Sequence, residues 1–265
     1  MHKTRLPLVA AVIGCVLALV VGATPAQAAS VNYVALGDSY SSGVGSGSYT
    51  AESGSCLRST NAYPQLWTNA HAPSSFRFAA CSGAKTTDVN ANQLSTLSST
   101  TTLVSISIGG NDVGFAQVMQ DCVLYGTTTC VSEVNAAENT ARTSLPGWLD
   151  TTYNGIRSRA PSARVVVLSY PRFYHDLWYC VGLSSTSRNK INEGADVLDG
   201  VISAAATRHG FAFGDVRAAF ASGHEICDSD SWLHSVDWGN IVQSYHPTAA
   251  GQSGGYLPAF TAKAG

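Results

Sequence analysis

The stretch YVALGDSYSSG, residues 33–43, joins a short apolar run to a turn rich in serine and glycine. Its first five residues, Tyr33–Gly37, are typical of a short buried β-strand. Asp38 and Ser39 come next, and both residue types are preferred at the start of a helix. The stretch therefore predicts a strand that ends by placing a serine hydroxyl at the edge of a sheet.

Three further runs share the apolar, β-branched character of this strand: Leu103–Ile108, Arg164–Ser169 and Phe211–Phe213. Between the last two, apolar residues recur every three or four positions from Ile191 to Ala205, which predicts an amphipathic helix. Strands that alternate with helices indicate the α/β class, with a mostly parallel sheet covered on both faces. In such sheets ligands bind beyond the carboxyl ends of the strands, so the residues that follow each run are candidate site residues.

The first 28 residues are typical of a secretory signal peptide. An uncharged apolar run, Leu8–Gly22, follows a basic start, and Ala26-Gln27-Ala28 fits a cleavage site. The run has fifteen residues, and a membrane span needs about 18 or more, so we expect no stable membrane anchor. Lipidation at Cys15, which ends a lipobox-like sequence, is the alternative. We expect cleavage after Ala28 and a secreted protein with one domain over residues 29–265.

Charged residues are scarce, at 12% of the 265 residues, against about 25% in ordinary soluble domains. The formal net charge is −2, and loss of the signal peptide removes Lys3 and Arg5. The 15 basic residues then fall to 13 against 17 acidic ones, for a net charge of −4. A chain so poor in basic residues is unsuited to binding a phosphate backbone, and we expect no nucleic-acid partner.

Removal of Cys15 leaves six of the seven cysteines, an even number in a chain that we expect to meet an oxidising compartment. The sequence contains no Cys-x-x-Cys pair and no Cys/His cluster with zinc-ligand spacing, so we expect disulfides and no metal site. Six cysteines allow many pairings. We expect the pairing that is sequential along the chain: Cys56–Cys81, Cys122–Cys130 and Cys180–Cys227.

Three polar segments are candidates for chemistry. Ser39 either caps a helix or acts as a nucleophile. The segment Gly109–Asp112 is either an ordinary turn or a means of aiming the Asn111 amide at an oxyanion. His246 precedes Pro247, a residue that can begin a helix and leave the imidazole at its start. Each segment alone has a purely structural interpretation.

Four blocks, taken in chain order, resemble the GDSL family of serine hydrolases, also called SGNH hydrolases. The blocks are Gly37-Asp38-Ser39, Cys81-Ser82-Gly83-Ala84, Gly109-Gly110-Asn111-Asp112 and Tyr245-His246-Pro247. They span nearly the whole chain after the signal peptide, and they look most like secreted bacterial lipases, esterases and phospholipases of that family. The resemblance implies a three-layer α/β/α sandwich around a mostly parallel, five-stranded sheet.

The resemblance also implies a role for each matching residue. Ser39 would attack the ester carbonyl while His246 acts as general base and then as general acid. The backbone N–H groups of Ser39 and Gly83 and the side-chain amide of Asn111 would form the oxyanion hole. These are all protein groups, so we expect no cofactor.

One position departs from the family pattern. An Asp usually stands three residues before the histidine, and here that residue is Gln243. Some family members orient the histidine with a main-chain carbonyl instead, and the Ser244 carbonyl is the natural candidate in this chain. Asp237 is the alternative, as the acid of a full triad.

The leading functional hypothesis is a secreted, monomeric lipase or esterase, with phospholipase A activity included, that cleaves acyl esters of lipids. A carbohydrate acetyl esterase with the same machinery is the first alternative. A secreted binding module that has kept the fold without catalysis is the second. A deep apolar acyl pocket would favour lipid esters, and a shallow one would favour acetyl groups.

Overall fold

Five parallel strands form the centre of the computed structural model, which describes residues 1–2, 4 and 30–265. The strands are Asn32–Gly37 (β1), Ser75–Phe78 (β2), Leu103–Ser107 (β3), Arg164–Leu168 (β4) and Ala212–Gly214 (β5). Their order across the sheet is β2-β1-β3-β4-β5, and each neighbouring pair is parallel. The apolar run and the cleavage site of the predicted signal peptide lie outside the described residues.

Helices connect the strands and cover both faces of the sheet. The α-helices of the described residues are Ser39–Ser42 (α1), Tyr63–His71 (α2), Thr86–Asp88 (α3), Phe115–Thr143 (α4), Leu145–Arg159 (α5), Ser185–Arg208 (α6), Arg217–Ala221 (α7) and Leu257–Ala264 (α8). Short 3₁₀ or π turns occupy Ala51–Cys56, Val89–Gln93, Leu94–Thr96, Ile241–Gln243 and Gly251–Tyr256. Within the part of the chain that the structure describes, no helix has the length and apolar character needed to cross a bilayer.

The two helical layers bury the sheet between them. Helices α4, α5 and α6 pack together on one face, whereas α2 and α8 pack on the other. All five residues of β3 are buried, as expected for a central strand covered on both sides. The predicted three-layer α/β/α fold with a five-stranded parallel sheet is confirmed.

Strand β2 is the strand of this sheet that the residue pattern does not predict. Ser75 and Arg77 of this strand are exposed and alternate with the half-buried Phe76 and Phe78. An edge strand of four residues with one solvent-exposed face has no continuous apolar run, and such a run is the signal that identifies the other strands.

Three disulfides join Cys56 to Cys81, Cys122 to Cys130 and Cys180 to Cys227, the same pairs that the sequence analysis expects. The second lies across an interruption of α4 at Gly126, where φ is 79° and ψ is −176°. The Cα atoms of Cys122 and Cys130 are 4.1 Å apart, although eight residues of straight helix would separate them by about 12 Å. Helix α4 is therefore two segments that meet at a sharp, disulfide-bonded corner.

Candidate active site

Ser39 is the first residue of α1, and one residue, Asp38, separates it from the carboxyl end of β1. The side chain of Asp38 accepts a hydrogen bond from the backbone N–H of Tyr40 at 3.0 Å, which caps this short helix. Gly37 has a φ of 123°, and a Cβ atom there would lie 2.5 Å from the Ser107 carbonyl oxygen. Only glycine fits this close approach, so the tight turn that presents Ser39 depends on it.

His246 lies against the Ser39 hydroxyl. Its Nε2 atom is 2.8 Å from the Ser39 Oγ, and its Nδ1 atom is 3.0 Å from the carbonyl oxygen of Ser244. An Nδ1–H that donates to this carbonyl leaves Nε2 unprotonated and able to accept the serine proton. The geometry is that of a serine–histidine dyad with a main-chain carbonyl in the place of an acid.

Asp237, the alternative acid, is occupied within its own loop. Its carboxylate accepts hydrogen bonds from the side-chain amide of Gln243 and from the backbone N–H groups of Gly239 and Asn240. These bonds hold the pKa of Asp237 below its ordinary value. The carboxylate has no hydrogen bond to His246 among the described residues.

The turn that carries His246 contains a strained residue. Tyr245 has a φ of 65°, a conformation that bulky side chains rarely adopt. Three contacts hold it: its backbone N–H donates to the His234 carbonyl, its carbonyl accepts from the Tyr40 hydroxyl at 2.7 Å, and its hydroxyl lies 3.0 Å from that of Tyr174. Because Tyr40 adjoins Ser39, one of these contacts ties the two halves of the dyad together.

Desolvation lowers the pKa of His246 to about 4, and the hydrogen bond from Nδ1 to Ser244 opposes this shift. The imidazole is therefore neutral at neutral pH, which is the form that can act as a general base.

Three hydrogen-bond donors face the same cleft as Ser39 and His246. Gly83 follows Cys81, whose disulfide anchors this loop, and Asn111 follows the carboxyl end of β3. Among residues 30–265, the backbone N–H groups of Ser39 and Gly83 donate to no acceptor. The Asn111 Nδ2 donates to the Ala84 carbonyl at 3.1 Å, which leaves its second N–H available. All three donors could serve an oxyanion.

A network around Asp38 joins these elements and was not found by sequence reasoning. Asp38 accepts from the hydroxyl of Ser107 at 2.7 Å and from the hydroxyl of Tyr170, which in turn accepts from the backbone N–H of Gly110 at 3.1 Å. Burial raises the pKa of Asp38 to about 6, and the bonds from Tyr170, Ser107 and Tyr40 oppose that shift. The hydroxyl of Tyr170 thus bridges the serine turn and the asparagine turn.

Two buried glutamines hold the backbone of the serine turn from either side. Gln93 accepts from the Gly37 N–H at 2.8 Å and donates to the Gly37 carbonyl at 2.9 Å. Gln252 accepts from the Tyr63 N–H and donates to the Tyr40 carbonyl, each at 3.0 Å. A lone glutamine has no sequence signature, so only the tertiary contacts reveal these positions.

The cleft above the dyad is large and mostly apolar, with a volume of about 460 Å³. One wall comes from the first segment of α4, including Phe115, Met119 and Leu124, and another comes from Trp238 and Ile241. The predicted catalytic and oxyanion residues line the same cleft: Ser39, Gly83, Asn111, Ser244 and His246.

Comparison with known proteins gives consistent results. The model of the GDSL-like lipase/acylhydrolase family matches residues 35–253. Lipase 1 of Streptomyces coelicolor is 57% identical over 245 residues, which cover 91% of this chain and 91% of that protein.

Two solved structures are similar over almost the same length. Phospholipase A1 from Streptomyces albidoflavus has a TM-score of 0.87 and 57% identity, covering 89% of this chain and 100% of the other. The extracellular lipase from Streptomyces rimosus has a TM-score of 0.86 and 54% identity, covering 88% and 100%. The resemblance found in the four sequence blocks is confirmed, and the chain belongs to the GDSL-like lipase/acylhydrolase family of carboxylic-ester hydrolases.

Proposed function

We propose that this protein is a secreted lipase or esterase that cleaves acyl esters of lipids through an acyl-enzyme on Ser39. The observation that carries the proposal is the 2.8 Å contact between Ser39 Oγ and His246 Nε2 in the lining of a large, mostly apolar cleft. The names of the similar proteins, lipase and phospholipase A1, support the same class of substrate.

In the first half-reaction the Ser39 Oγ attacks the ester carbonyl carbon while His246 Nε2 takes the hydroxyl proton. The carbonyl oxygen becomes an oxyanion, which the N–H groups of Ser39, Gly83 and Asn111 stabilise. The intermediate then collapses, the bond to the alcohol breaks, and His246 returns its proton to the leaving alkoxide.

In the second half-reaction water replaces the alcohol. His246 Nε2 takes a proton from water, whose oxygen attacks the acyl carbon on Ser39. Collapse of the second intermediate releases the fatty acid and returns the proton to the Ser39 oxygen. Ser244 holds the imidazole in one tautomer through both steps, since its carbonyl oxygen can accept only from a protonated Nδ1.

The size and lining of the cleft favour lipid esters over acetylated carbohydrates. Its volume of about 460 Å³ lies in the range of roughly 300–1,000 Å³ that is typical of sites for drug-sized ligands. An acetyl group would fill little of it, and a sugar would lie against apolar walls with few polar partners. A long acyl chain would bury its methylenes there instead.

The same proposal includes secretion and a monomeric state. The signal peptide would be removed after Ala28, leaving one domain over residues 29–265 that is exported like the extracellular lipase it resembles. N-terminal sequencing of protein from the culture medium should begin at Ala29. Light scattering on the same material should give the mass of a single chain.

The decisive test is the Ser39→Ala variant, with Ser253→Ala as its matched control. Ser253 is exposed and belongs to the sequence Gly-Gln-Ser-Gly-Gly, which mimics the nucleophile motif of another hydrolase class. We expect Ser39→Ala to lose at least about a thousandfold in kcat and to escape labelling by a serine-reactive phosphonate. Ser253→Ala should keep both properties, and the opposite pattern would refute the nucleophile.

A panel of esters then tests the substrate class. With esters from acetyl to long-chain acyl and a phospholipid, kcat/KM should rise with chain length as the acyl group fills the cleft. A maximum at acetyl would show that the carbohydrate esterase alternative is the better one.

A further inference from the structure

The mouth of the cleft is formed by large apolar side chains that water reaches. Leu124, Trp238, Ile241 and Val242 line the cleft and yet are 48%, 71%, 58% and 50% exposed. We call these four residues the apolar rim. Exposed apolar groups are common singly, but a cluster around a site marks an interaction surface.

The rim accounts for four of the ten large apolar side chains that are exposed within residues 30–265. The other six do not line the cleft: Tyr49, Tyr125, Trp148, Trp178, Tyr179 and Val181. Four exposed apolar side chains therefore meet at the mouth of one cleft.

The charge of the rim segments limits what they can contact. Residues 115–126 and 235–246, which carry the rim, contain no lysine or arginine. Their carboxylates are Asp121 and Asp237. Anionic lipid surfaces attract clusters of basic residues. The rim offers apolar area and aromatic character, with negative charge beside it.

We propose that the apolar rim docks on a lipid surface with uncharged or zwitterionic headgroups and places the cleft directly over it. Tryptophan and aliphatic side chains enter the boundary between headgroups and acyl chains, where an indole is well accommodated. The rim is continuous with the cleft, so an acyl chain can pass from the lipid into the protein without crossing water. Asp121 and Asp237 disfavour a surface rich in anionic lipid.

This inference rests on the proposed lipolytic function, and its test is read without turnover. The Ser39→Ala variant binds vesicles without consuming them, and sedimentation with phosphatidylcholine vesicles measures its partition. We expect Ser39→Ala to sediment with these vesicles. Adding Trp238→Ala or Ile241→Ser should weaken partition by about tenfold or more, because each removes apolar area that would leave water.

Ser39→Ala with Trp148→Ala is the matched control, since Trp148 is 40% exposed but lies on α5, away from the cleft. It should bind like Ser39→Ala alone. Replacing about a third of the phosphatidylcholine with phosphatidylglycerol should weaken binding, because this lipid is anionic.

Three results would overturn the proposal: no binding to phosphatidylcholine, equal binding with and without the rim substitutions, or binding that requires phosphatidylglycerol. The substituted side chains, Trp238 and Ile241, are both exposed, and circular dichroism of each variant verifies that its fold is kept. The proposed function fails separately, if Ser39→Ala still hydrolyses a soluble ester.

Discussion

Ser39 and His246 are 207 residues apart in the chain, and their Oγ and Nε2 atoms are 2.8 Å apart in the structure. The contact depends on two connections at the carboxyl edge of the sheet. One is the turn that follows β1 and carries Ser39. The other precedes the turn at Gly251–Tyr256 and carries His246. The Tyr40 hydroxyl donates a hydrogen bond to the Tyr245 carbonyl and so joins the two connections. Since these tyrosines adjoin Ser39 and His246, the bond helps to hold the distance between the two catalytic side chains.

The pH dependence of activity should report the depressed basicity of His246. Desolvation lowers its pKa to about 4, against about 6.5 for an ordinary histidine. Since only the neutral imidazole can accept the serine proton, kcat/KM for a soluble ester should rise with pH through about 4 and then stay level through neutrality. Circular dichroism at each pH would separate unfolding from titration. An acidic limb centred near 6.5 would contradict the lowered pKa.

Asp237→Asn should keep most of the activity. The Asp237 carboxylate is bonded to Gln243, Gly239 and Asn240, and the Ser244 carbonyl lies beside His246 Nδ1. If Asp237 completed a triad instead, the loss in kcat would approach about 10⁴-fold, as for the acid of other serine hydrolases. Ser244→Ala is the companion variant, because it retains the main-chain carbonyl and should also remain active.

Asn111→Ala should lower kcat by about 10²–10³-fold, the usual effect of removing one oxyanion donor. KM should change much less, because the amide acts on charge that develops only in the transition state. The side chain makes one internal hydrogen bond, to the Ala84 carbonyl, so thermal unfolding should stay close to that of the wild type. A marked fall in Tm together with the fall in kcat would instead point to a structural role for Asn111.

The sequence predicted the parts of this site that have local signatures, and it missed the parts that do not. A strand followed by Gly-Asp-Ser can be recognised in the sequence because the turn residues come immediately after the apolar run. Gln93 and Gln252 hold Gly37 and Tyr40 from 56 and 212 residues away, and no periodicity indicates such pairs. The corner in α4 was within reach of the sequence. The expected Cys122–Cys130 disulfide cannot form across eight residues of straight helix, and Gly126 lies between the two cysteines as the place for a reversal.

Tyr170→Phe tests whether the bridging hydroxyl positions the two turns. Its loss leaves the buried N–H of Gly110 without its partner and removes a donor from Asp38. We expect a loss of about 1–3 kcal/mol in the free energy of unfolding. We also expect kcat to fall by about ten- to a hundredfold, since small displacements of catalytic groups are costly, with KM little changed.

Tyr153→Phe is the matched control for that substitution. Tyr153 is also fully buried, but its hydroxyl has no hydrogen-bond partner among the described residues. Removing it should leave stability unchanged or slightly higher, and it should leave kcat alone. If the two variants behaved alike, Tyr170 would be a packing residue without a positioning role.

We expect removal of the disulfide at the corner of α4 to raise KM for long-chain esters, an effect that the loss of stability alone would not produce. Cys122 and Cys130 close a loop of 8 residues, which corresponds to about 2.5 kcal/mol in the chain-entropy model. Replacing both with Ser should therefore lower Tm by about 5–10 °C. The same change at Cys180–Cys227, with a separation of 47 residues, should cost about 4 kcal/mol and lower Tm further.

The segment before Gly126 forms a wall of the cleft, so KM for a long-chain ester should rise in the Cys122→Ser/Cys130→Ser variant while KM for an acetyl ester should not. Measuring both esters below the lower Tm separates wall position from global unfolding, and parallel changes in the two KM values would count against a specific effect on the wall.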